Sequence, residues 1–516
     1  MSDAKHVNPW LIAISVMFAT FMEVLDTTVV NVSLPHIAGS LSATIDEATW
    51  VLTSYLVANA IILPLTGWLA NHFGRKRLLM ASLSGFTASS LLCGFAPNLA
   101  LLVLFRVLQG ICGGALQPLS QAIMLEAFAP ERRGKAMGFW AVGIVVAPIL
   151  GPVLGGWLTD NYSWRWIFYI NIPVGVASLV MTRLFIFDPP YIRRQSESID
   201  YWGIGLLALG VGALQLVLDK GQQEDWFESR WIAWLAVISA GALAAFVARE
   251  LRAANPVLDL RVLRLRSYST GVFLMTVLGF VLYGSLVLLP IWLQTLLGYP
   301  ALRAGIALAP RGMGSLLFMP IVGIITTRLD PRKLLGAGFV LGGVTLLQFS
   351  WLNLNAGYWD FFWPQFVQGA ALSLLFVPLT TITMYPVPKE KTGNATSIFN
   401  FMRNLGGSMG IAMISTMMER RRQLHVALLS RHVTPYDAPA RVLDQSLRGA
   451  MIGGGSDPAS AGPQAIAVLW GMVQRQAALL SYIDLFRMLG VIFFLMTPLI
   501  LLMKRPAKSS AGAPVR

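Results

Sequence analysis

Glu23 and Asp26 stand three residues apart inside an apolar stretch, residues 11–33, so their carboxylates occupy neighbouring positions on one helix face. An acid at the centre of a bilayer costs roughly 2.5–3.5 kcal/mol on insertion scales, so such residues face a cavity or pair with a base. The base at hand is Arg106, in the apolar block 99–125. Gln109, Gly113 and Gln117 follow it at spacings of 3, 7 and 11, a polar stripe on one side of a helix. Two chemistries fit. One is a permanent Asp26–Arg106 bridge that fixes a helix bundle. The other is a proton site, with Asp26, Glu23 and Arg106 as its coupling residues. Burial favours the neutral form of an acid, a second carboxylate favours it further, and an arginine favours the anion. Moving the arginine, or placing a ligand beside the acid, would then switch its protonation. A membrane potential of about 150 mV supplies roughly 3.5 kcal/mol per proton, enough for a solute gradient of about a few hundred-fold.

The other charges inside apolar stretches are Arg311, Arg403, Asp484 and Arg487. Arg403 lies among Asn400, Asn404, Gly406 and Gly407, a polar helix face that either lines a cavity or packs. Arg311 follows Pro310 and is expected to attend a kinked backbone; Asp484 and Arg487, three apart, are expected to form a local ion pair. Thr27, Asn31, Gln109, Gln117, Arg403 and Asn404 are the candidates for lining a substrate cavity. Cys93 and Cys112 both fall within apolar blocks and imply neither a disulfide framework nor a metal site. No GxxxxGK[ST] phosphate loop occurs, so nucleotide-driven chemistry lacks its motif. No cofactor is expected beyond the proton as coupling ion.

These residues need helices to hold them in a membrane. Hydrophobic residues make up 55% of the 516, only 12% are charged, and mean hydropathy is +0.64. The apolar residues fall into fourteen blocks of roughly 20, from 11–33 to 482–503, with Gly and Pro inside many of them. The expected class is an all-α polytopic membrane protein. The net charge of +14 would suit nucleic acid, but its distribution does not. With the N-terminus inside, tails and short loops on that side hold 23 Lys and Arg, including Arg75-Lys76-Arg77, Arg132-Arg133 and Lys504-Arg505. The short loops opposite hold four, Arg165, Lys220, Arg230 and Arg303. That bias sets both termini in the cytoplasm and excludes a nucleic-acid partner as the reason for the basicity. The first block carries two acids and has no small-residue cleavage site, so it reads as a retained helix.

The chain repeats itself. GWLANHFGRKRLL at 67–79 recurs as GIITTRLDPRKLL at 323–335, and Gln109-Gly110 with Pro118-Leu119-Ser120 recurs as Gln368-Gly369 with Pro378-Leu379-Thr380. A multi-span unit present twice in parallel implies two bundles with a substrate path between them. Residues 10–187 form the expected N-terminal six-helix bundle, 201–250 an inserted helix pair, and 269–503 the C-terminal six-helix bundle. The last includes an extracytoplasmic segment, 419–480. Its centre, Gly449 to Gly462, reads as turn-like, and its flanks, Arg422 to Arg431 and Gln464 to Leu480, as amphipathic helices. Two readings stay open for this segment, a helical hairpin lying on the membrane surface and a docking element for a partner. In the fifth block, Ala147, Gly151 and Gly155 make a smooth face for close helix approach, and Pro148 and Pro152 bend the helix.

At these motifs the chain resembles the major facilitator superfamily, in particular the EmrB branch of its fourteen-helix drug:proton antiporters. Leu25 to Pro35 matches that family's first-span motif, and Gly67 through Gly74, Arg75, Lys76 and Arg77 its loop motif. Arg106 with Gln109-Gly110 matches the span-4 motif. Gly138, Ala147 and Gly151-Pro152-Val153-Leu154-Gly155-Gly156 are similar to the span-5 antiporter signature. Trp164 to Phe168 with Asn171-Ile172-Pro173 matches a motif of the fourteen-helix group. Asn71 stands where the loop motif usually has Asp, which argues against a charged latch at that position; Ala147 replaces a motif Gly, and Glu23 is an additional acid. The resemblance implies two six-helix bundles plus two inserted helices, fourteen transmembrane helices in all. It also implies proton-driven export of hydrophobic small molecules from a bacterial inner membrane and contact with membrane lipid. The partners it implies are a periplasmic membrane-fusion adaptor (EmrA-like) and a TolC-like outer-membrane channel.

Two competing functions predict different behaviour. A proton-coupled importer would lack the span-5 signature, and the first block lacks the ExxER pattern of peptide symporters, reading Glu23-Val24-Leu25-Asp26-Thr27. A membrane sensor or scaffold on the same fold would keep its phenotype when Asp26 is neutralised. Neither reading, nor export, involves an enzymatic reaction.

Overall fold

Long apolar runs leave their backbone nothing to bond but itself in a bilayer, and the chain answers with helices. The computed structural model describes residues 8–187, 200–253, 256–434 and 436–503; the basic pair Lys504-Arg505 of the expected cytoplasmic tail lies outside them. Among the described residues there are helices and no strands. The N-terminal set is α1 Pro9–Ser40, α2 Trp50–Phe73, α3 Arg75–Phe95, α4 Leu99–Ala127, α5 Arg133–Asn161 and α6 Trp166–Phe185. A pair follows, α7 Tyr201–Lys220 and α8 Arg230–Arg252. The C-terminal set is α9 Arg266–Thr295, α10 Ala301–Ile325, α11 Pro331–Phe349, α12 Tyr358–Met384, α13 Thr392–Ser430 and α14 Pro458–Met496.

Twelve of the described helices are long and apolar enough to cross a membrane. The other two, α11 and α13, fall on two of the fourteen apolar blocks, so the arrangement is consistent with fourteen spans. α11 opens on Arg332 and Lys333, and α13 carries a polar face of Asn394, Thr396, Ser397, Asn400 and Arg403, which lowers the mean hydropathy of each.

Local sequence sets the helix starts. Asn8, Asn98, Asp330 and Asp457 each accept a backbone N–H of the first turn, at 2.9–3.2 Å, at the heads of α1, α4, α11 and α14. Asp200 does the same for α7, accepting from the Gly203 N–H at 2.9 Å. α2 and α3 are separated by a single residue, Gly74, at φ +88°, a conformation that other residues seldom adopt.

α1 packs on α5 and α6, α2 and α3 on α4, and α3 on α6; α9 packs on α13, α10 and α11 on α12, and α11 and α13 on α14. The two groups meet through α5 against α10 and α12, and through α2 and α4 against α13. The α7–α8 pair sits outside this pseudo-symmetric body, α7 on α2 and, more lightly, on α13, with α8 held chiefly by α7.

The segment 419–480 departs from the expectation. α13 and α14 run 39 residues each without a break, about 58 Å at 1.5 Å per residue against a hydrocarbon core of about 30 Å. The flanks are therefore continuations of two spans and not a hairpin lying flat on the membrane. Of the Gly- and Ser-rich centre, the first part is helical, closing the outer helix Ala438–Gly453; Gly455 at φ +94° turns the chain into α14. Asp484 also departs: it meets His425 of α13 at 2.9 Å and Arg421 at 3.7 Å, and Arg487 is not its partner. The adjacent helix α13 offered it closer bases than its own did.

Candidate functional site

Asp26 is locked in place. Its Oδ2 accepts from Arg106 Nη1 at 2.5 Å, and its Oδ1 accepts from Gln109 Nε2 at 3.0 Å and from Asn171 Nδ2 at 2.7 Å. Arg106 also donates to Gln109 Oε1 at 2.8 Å and to the Val51 carbonyl at 3.0 Å, and its guanidinium lies 4.2 Å from the Tyr55 ring centre. Asn171 reaches Ser90 at 3.0 Å. One carboxylate thus ties α1, α2, α3, α4 and α6 together, with Asp26, Arg106, Gln109 and Asn171 all fully buried. Asn171 was visible in sequence only as part of a motif; its amide is aimed at Asp26 by the turn between Trp166–Tyr169 and Asn171–Phe185.

Gln109 belongs to this cluster and not to a cavity lining. The stripe Arg106–Gln109–Gln117 does not survive as one face, because α4 breaks between Leu99–Gly113 and Leu116–Ala127. Gln117, beyond the break, faces the opposite bundle.

Glu23 sits one turn away from Asp26 and is differently placed. Its Oε1 accepts from Asn59 Nδ2 at 3.2 Å, its Oε2 has no partner, and it is 6% exposed. Thr27 and Asn31 continue the same face of α1 at four-residue steps; Thr27 is half-buried and bonded to its own helix at 2.8 Å, and Asn31 is exposed. The charge of Arg403, from the other bundle, acts on Glu23. Arg403 is 2% exposed, donates to Gln117 Oε1 across the seam and to Asn404 Oδ1 at 3.2 Å, and leaves Nη1 unpartnered. One turn along, Asn400 donates to Gln121 of α4, leaving Asn400 Oδ1 and Gln121 Nε2 without partners. A buried polar seam therefore joins α1 and α4 to α13, with opposite charges on its two sides and spare donors and acceptors on each. Asn59, Gln121 and Asn400 were not singled out as site residues from sequence; polar residues inside spans were the available signal.

Among the motif residues, Gly67 and Gly138 sit where the bundles touch. A Cβ on Gly67 would fall 2.6 Å from the Asn394 backbone, and one on Gly138 would fall 2.8 Å from the Met319 carbonyl, so only glycine permits these approaches of α2 to α13 and α5 to α10. Gly151 and Gly155 lie against Thr28 and Val29 of α1; Ala147 offers its carbonyl to Thr28 Oγ1 at 3.5 Å, and Gly156 has more room, 3.9 Å from Val32. Pro152 faces Gly305 of α10. In the basic loop, Arg75 pairs with Glu126 at the end of α4, and Lys76 caps the Arg183 carbonyl at 2.7 Å. Glu126 supplies the acid to the loop whose own acidic position holds Asn71.

Arg311 also differs from its expectation. It attends no kinked backbone of its own helix, and donates instead to Gln365 Oε1 at 2.8 Å, Gln368 Oε1 at 2.6 Å and Ser285 Oγ at 3.5 Å.

Residues 16–411 match the Major Facilitator Superfamily. The multidrug export protein EmrB of Haemophilus influenzae is 44% identical over 83% of this chain and 84% of its own. EmrB of Escherichia coli K12 is 38% identical over 97% of this chain and 96% of its own, and the fatty acid resistance protein FarB of Neisseria gonorrhoeae is 38% identical over 97% of both. Among solved structures, the human organic anion transporter MFSD10 superposes with a TM-score of 0.61 at 13% identity, covering 94% of this chain and 99% of that one, a likeness of fold alone. With twelve or more membrane-length helices in two packed bundles, the chain is a multi-pass membrane protein and belongs to the Major Facilitator Superfamily, among the relatives of EmrB.

Proposed function

We propose that this protein is a proton-driven antiporter that exports hydrophobic drugs or toxic amphiphiles across the bacterial inner membrane, both termini in the cytoplasm. We further propose that it is the pump of a tripartite system with an EmrA-like adaptor and a TolC-like channel. The relatives named for multidrug export support the export reading. The observation that carries proton coupling is the contrast between two acids one turn apart: Asp26 has every oxygen engaged, whereas Glu23 keeps a free oxygen beside the seam between the bundles.

A carboxylate that must change protonation needs a spare coordination site and a neighbour whose distance changes with conformation. Glu23 has both, because Arg403 belongs to the other bundle and moves relative to α1 when the bundles rock. In this state the bundles meet most closely at the end bearing the basic loops, through Gly67 and Gly138, and more loosely further along at Pro152 and Gly305, while Asn31 toward the other end of α1 is exposed. With the basic loops in the cytoplasm, that is a state closed to the cytoplasm, from which Glu23 takes its proton from outside. In the opposite state Glu23 loses its proton as a substrate binds, and the two cargoes exchange. Asp26 and Arg106 position α1; Thr27, Asn31, Gln117, Arg403 and Asn404 line the path. The outer extensions of α13 and α14, with the helix Ala438–Gly453, are the part available to an adaptor.

The test is proton movement in energised inside-out vesicles, followed with a pH-sensitive dye during addition of a compound panel. Wild type should release protons on addition of a substrate, and Glu23→Gln at matched expression should not. An undiminished response in Glu23→Gln would move coupling to another residue, and silence in wild type across cationic, neutral and anionic compounds would sink the antiport reading.

A further inference from the structure

The C-terminal bundle holds a second buried polar cluster that repeats the first with one group missing. Ser285, Gln365 and Gln368 lie 259 residues after Asp26, Arg106 and Gln109 respectively, the same offset for all three. In the first bundle these positions hold an acid, its arginine and a glutamine. In the second they hold three neutral residues, and the cation arrives from α10 as Arg311, which donates to all three. Its place in the repeat is again telling: counting back 259 from Arg311 reaches position 52, beside Val51, whose carbonyl accepts from Arg106.

The cation thus has the surroundings of the first site and no carboxylate. Arg311 is 5% exposed, and no described acid lies within 4.0 Å of it. A buried guanidinium satisfied only by neutral oxygens keeps an uncompensated charge. A second observation points the same way. Gln365 is fully buried, and because arginine only donates, its Oε1 must face Arg311; its Nε2 is left without a partner. A positive charge and a spare N–H donor side by side want an acceptor that is anionic and bidentate. α10 and α12, which carry Arg311, Gln365 and Gln368, are also the helices that pack on α5 of the other bundle.

We infer that Arg311, Gln365 and Ser285 form a recognition site for the carboxylate of an anionic amphiphile, which takes the place that the Asp26 carboxylate fills in the N-terminal bundle. The site rests on the export reading only for the direction in which the bound anion travels. It is separate from Glu23, so an anion here is bound without contact with the proposed proton carrier. An anionic lipid headgroup or a small inorganic anion shares the chemistry, and the experiment separates them.

Binding of radiolabelled dodecanoate is measured on the full-length protein in zwitterionic nanodiscs, at about pH 8 where the carboxylate is ionised, with dodecanol as the neutral probe. Arg311→Gln should weaken dodecanoate by about ten-fold or more and leave dodecanol within about three-fold, while Arg311→Lys retains an intermediate affinity. Gln365→Leu, which keeps the cation, should weaken dodecanoate by about three- to ten-fold, and decides the matter if Arg311→Gln does not fold. Unchanged dodecanoate affinity in both variants, or equal losses for dodecanoate and dodecanol, overturns the site. Full displacement of dodecanoate from wild type by millimolar phosphate or chloride, or by phosphatidylglycerol in the disc, overturns the amphiphile as its occupant. Binding is read without a proton gradient, so a wild type that moves no protons sinks the export reading and leaves this result standing.

Discussion

Two carboxylates three residues apart on one helix behave as different chemical objects, because their neighbours differ in number. Asp26 is held by three side chains and is the counter-ion of the buried Arg106. Removing one partner of such a pair leaves the other buried and uncompensated, at a cost of about 3–5 kcal/mol. Asp26→Asn is therefore expected to lower the thermal denaturation temperature in detergent by many degrees and to reduce the yield of folded protein. Glu23→Gln, which removes the charge but keeps an oxygen to accept from Asn59, should shift stability by less than about 1 kcal/mol. Thermal unfolding of the two purified variants separates a structural acid from a functional one; equal losses would remove the distinction. The pair Asp26 and Arg106 was legible in sequence; other pairs that matter were not. Gln117 and Arg403 are 286 positions apart, and Arg75 and Glu126 are 51 apart; nothing local says that they meet.

At the scale of elements, the inserted pair shows how a helix hairpin is fastened from outside the membrane core. Asp200 caps α7 and also accepts from Arg249, at the far end of α8, at 2.8–3.0 Å. The Arg249 guanidinium hydrogen-bonded to Asp200 holds its carboxyl below the usual carboxylate range. A carboxyl whose folded value lies below its unfolded value of about 3.9 stabilises fully above that pH and loses its contribution as pH falls through the folded value. Asp200→Asn should thus cost about 1 kcal/mol at neutral pH, a modest figure because Arg249 is half exposed. The gap from wild type should close below about pH 4. Thermal unfolding across a pH series checks this, and a gap that persists at low pH would assign the effect to the cap alone. The helices themselves were legible block by block. Their lengths were not: α14 outruns the bilayer with one side still buried, at Ala461, Ala465, Leu469 and Val473, where the helix Ala438–Gly453 packs on it.

The whole molecule is two bundles pressed most tightly together at one end, by glycines. Gly138→Val places a branched side chain against the Met319 carbonyl of α10, and overpacking of this kind costs about 1–3 kcal/mol. Since that cost falls only on the closed end, the balance should move toward the state open there. A cysteine in place of Gln121, fully buried in the present state, is expected to react with a maleimide at least about ten-fold faster in the Gly138→Val background. An unchanged rate would mean that the α5–α10 contact does not control opening.

By itself, the sequence determined the class and the plan of this protein. Apolar blocks, the sign of loop charges and a unit repeated about 259 residues later are local or periodic quantities, and no packing is needed to read them. Motif residues such as Asp26, Arg106 and Gly138 could be picked out for the same reason. Which acid is free, which glutamine faces the other bundle and which arginine lacks a counter-ion were decided by tertiary structure alone. Those properties depend on what a buried side chain meets across a helix contact, and the cost of leaving it unmet is set by low-dielectric surroundings that only the folded bundles create.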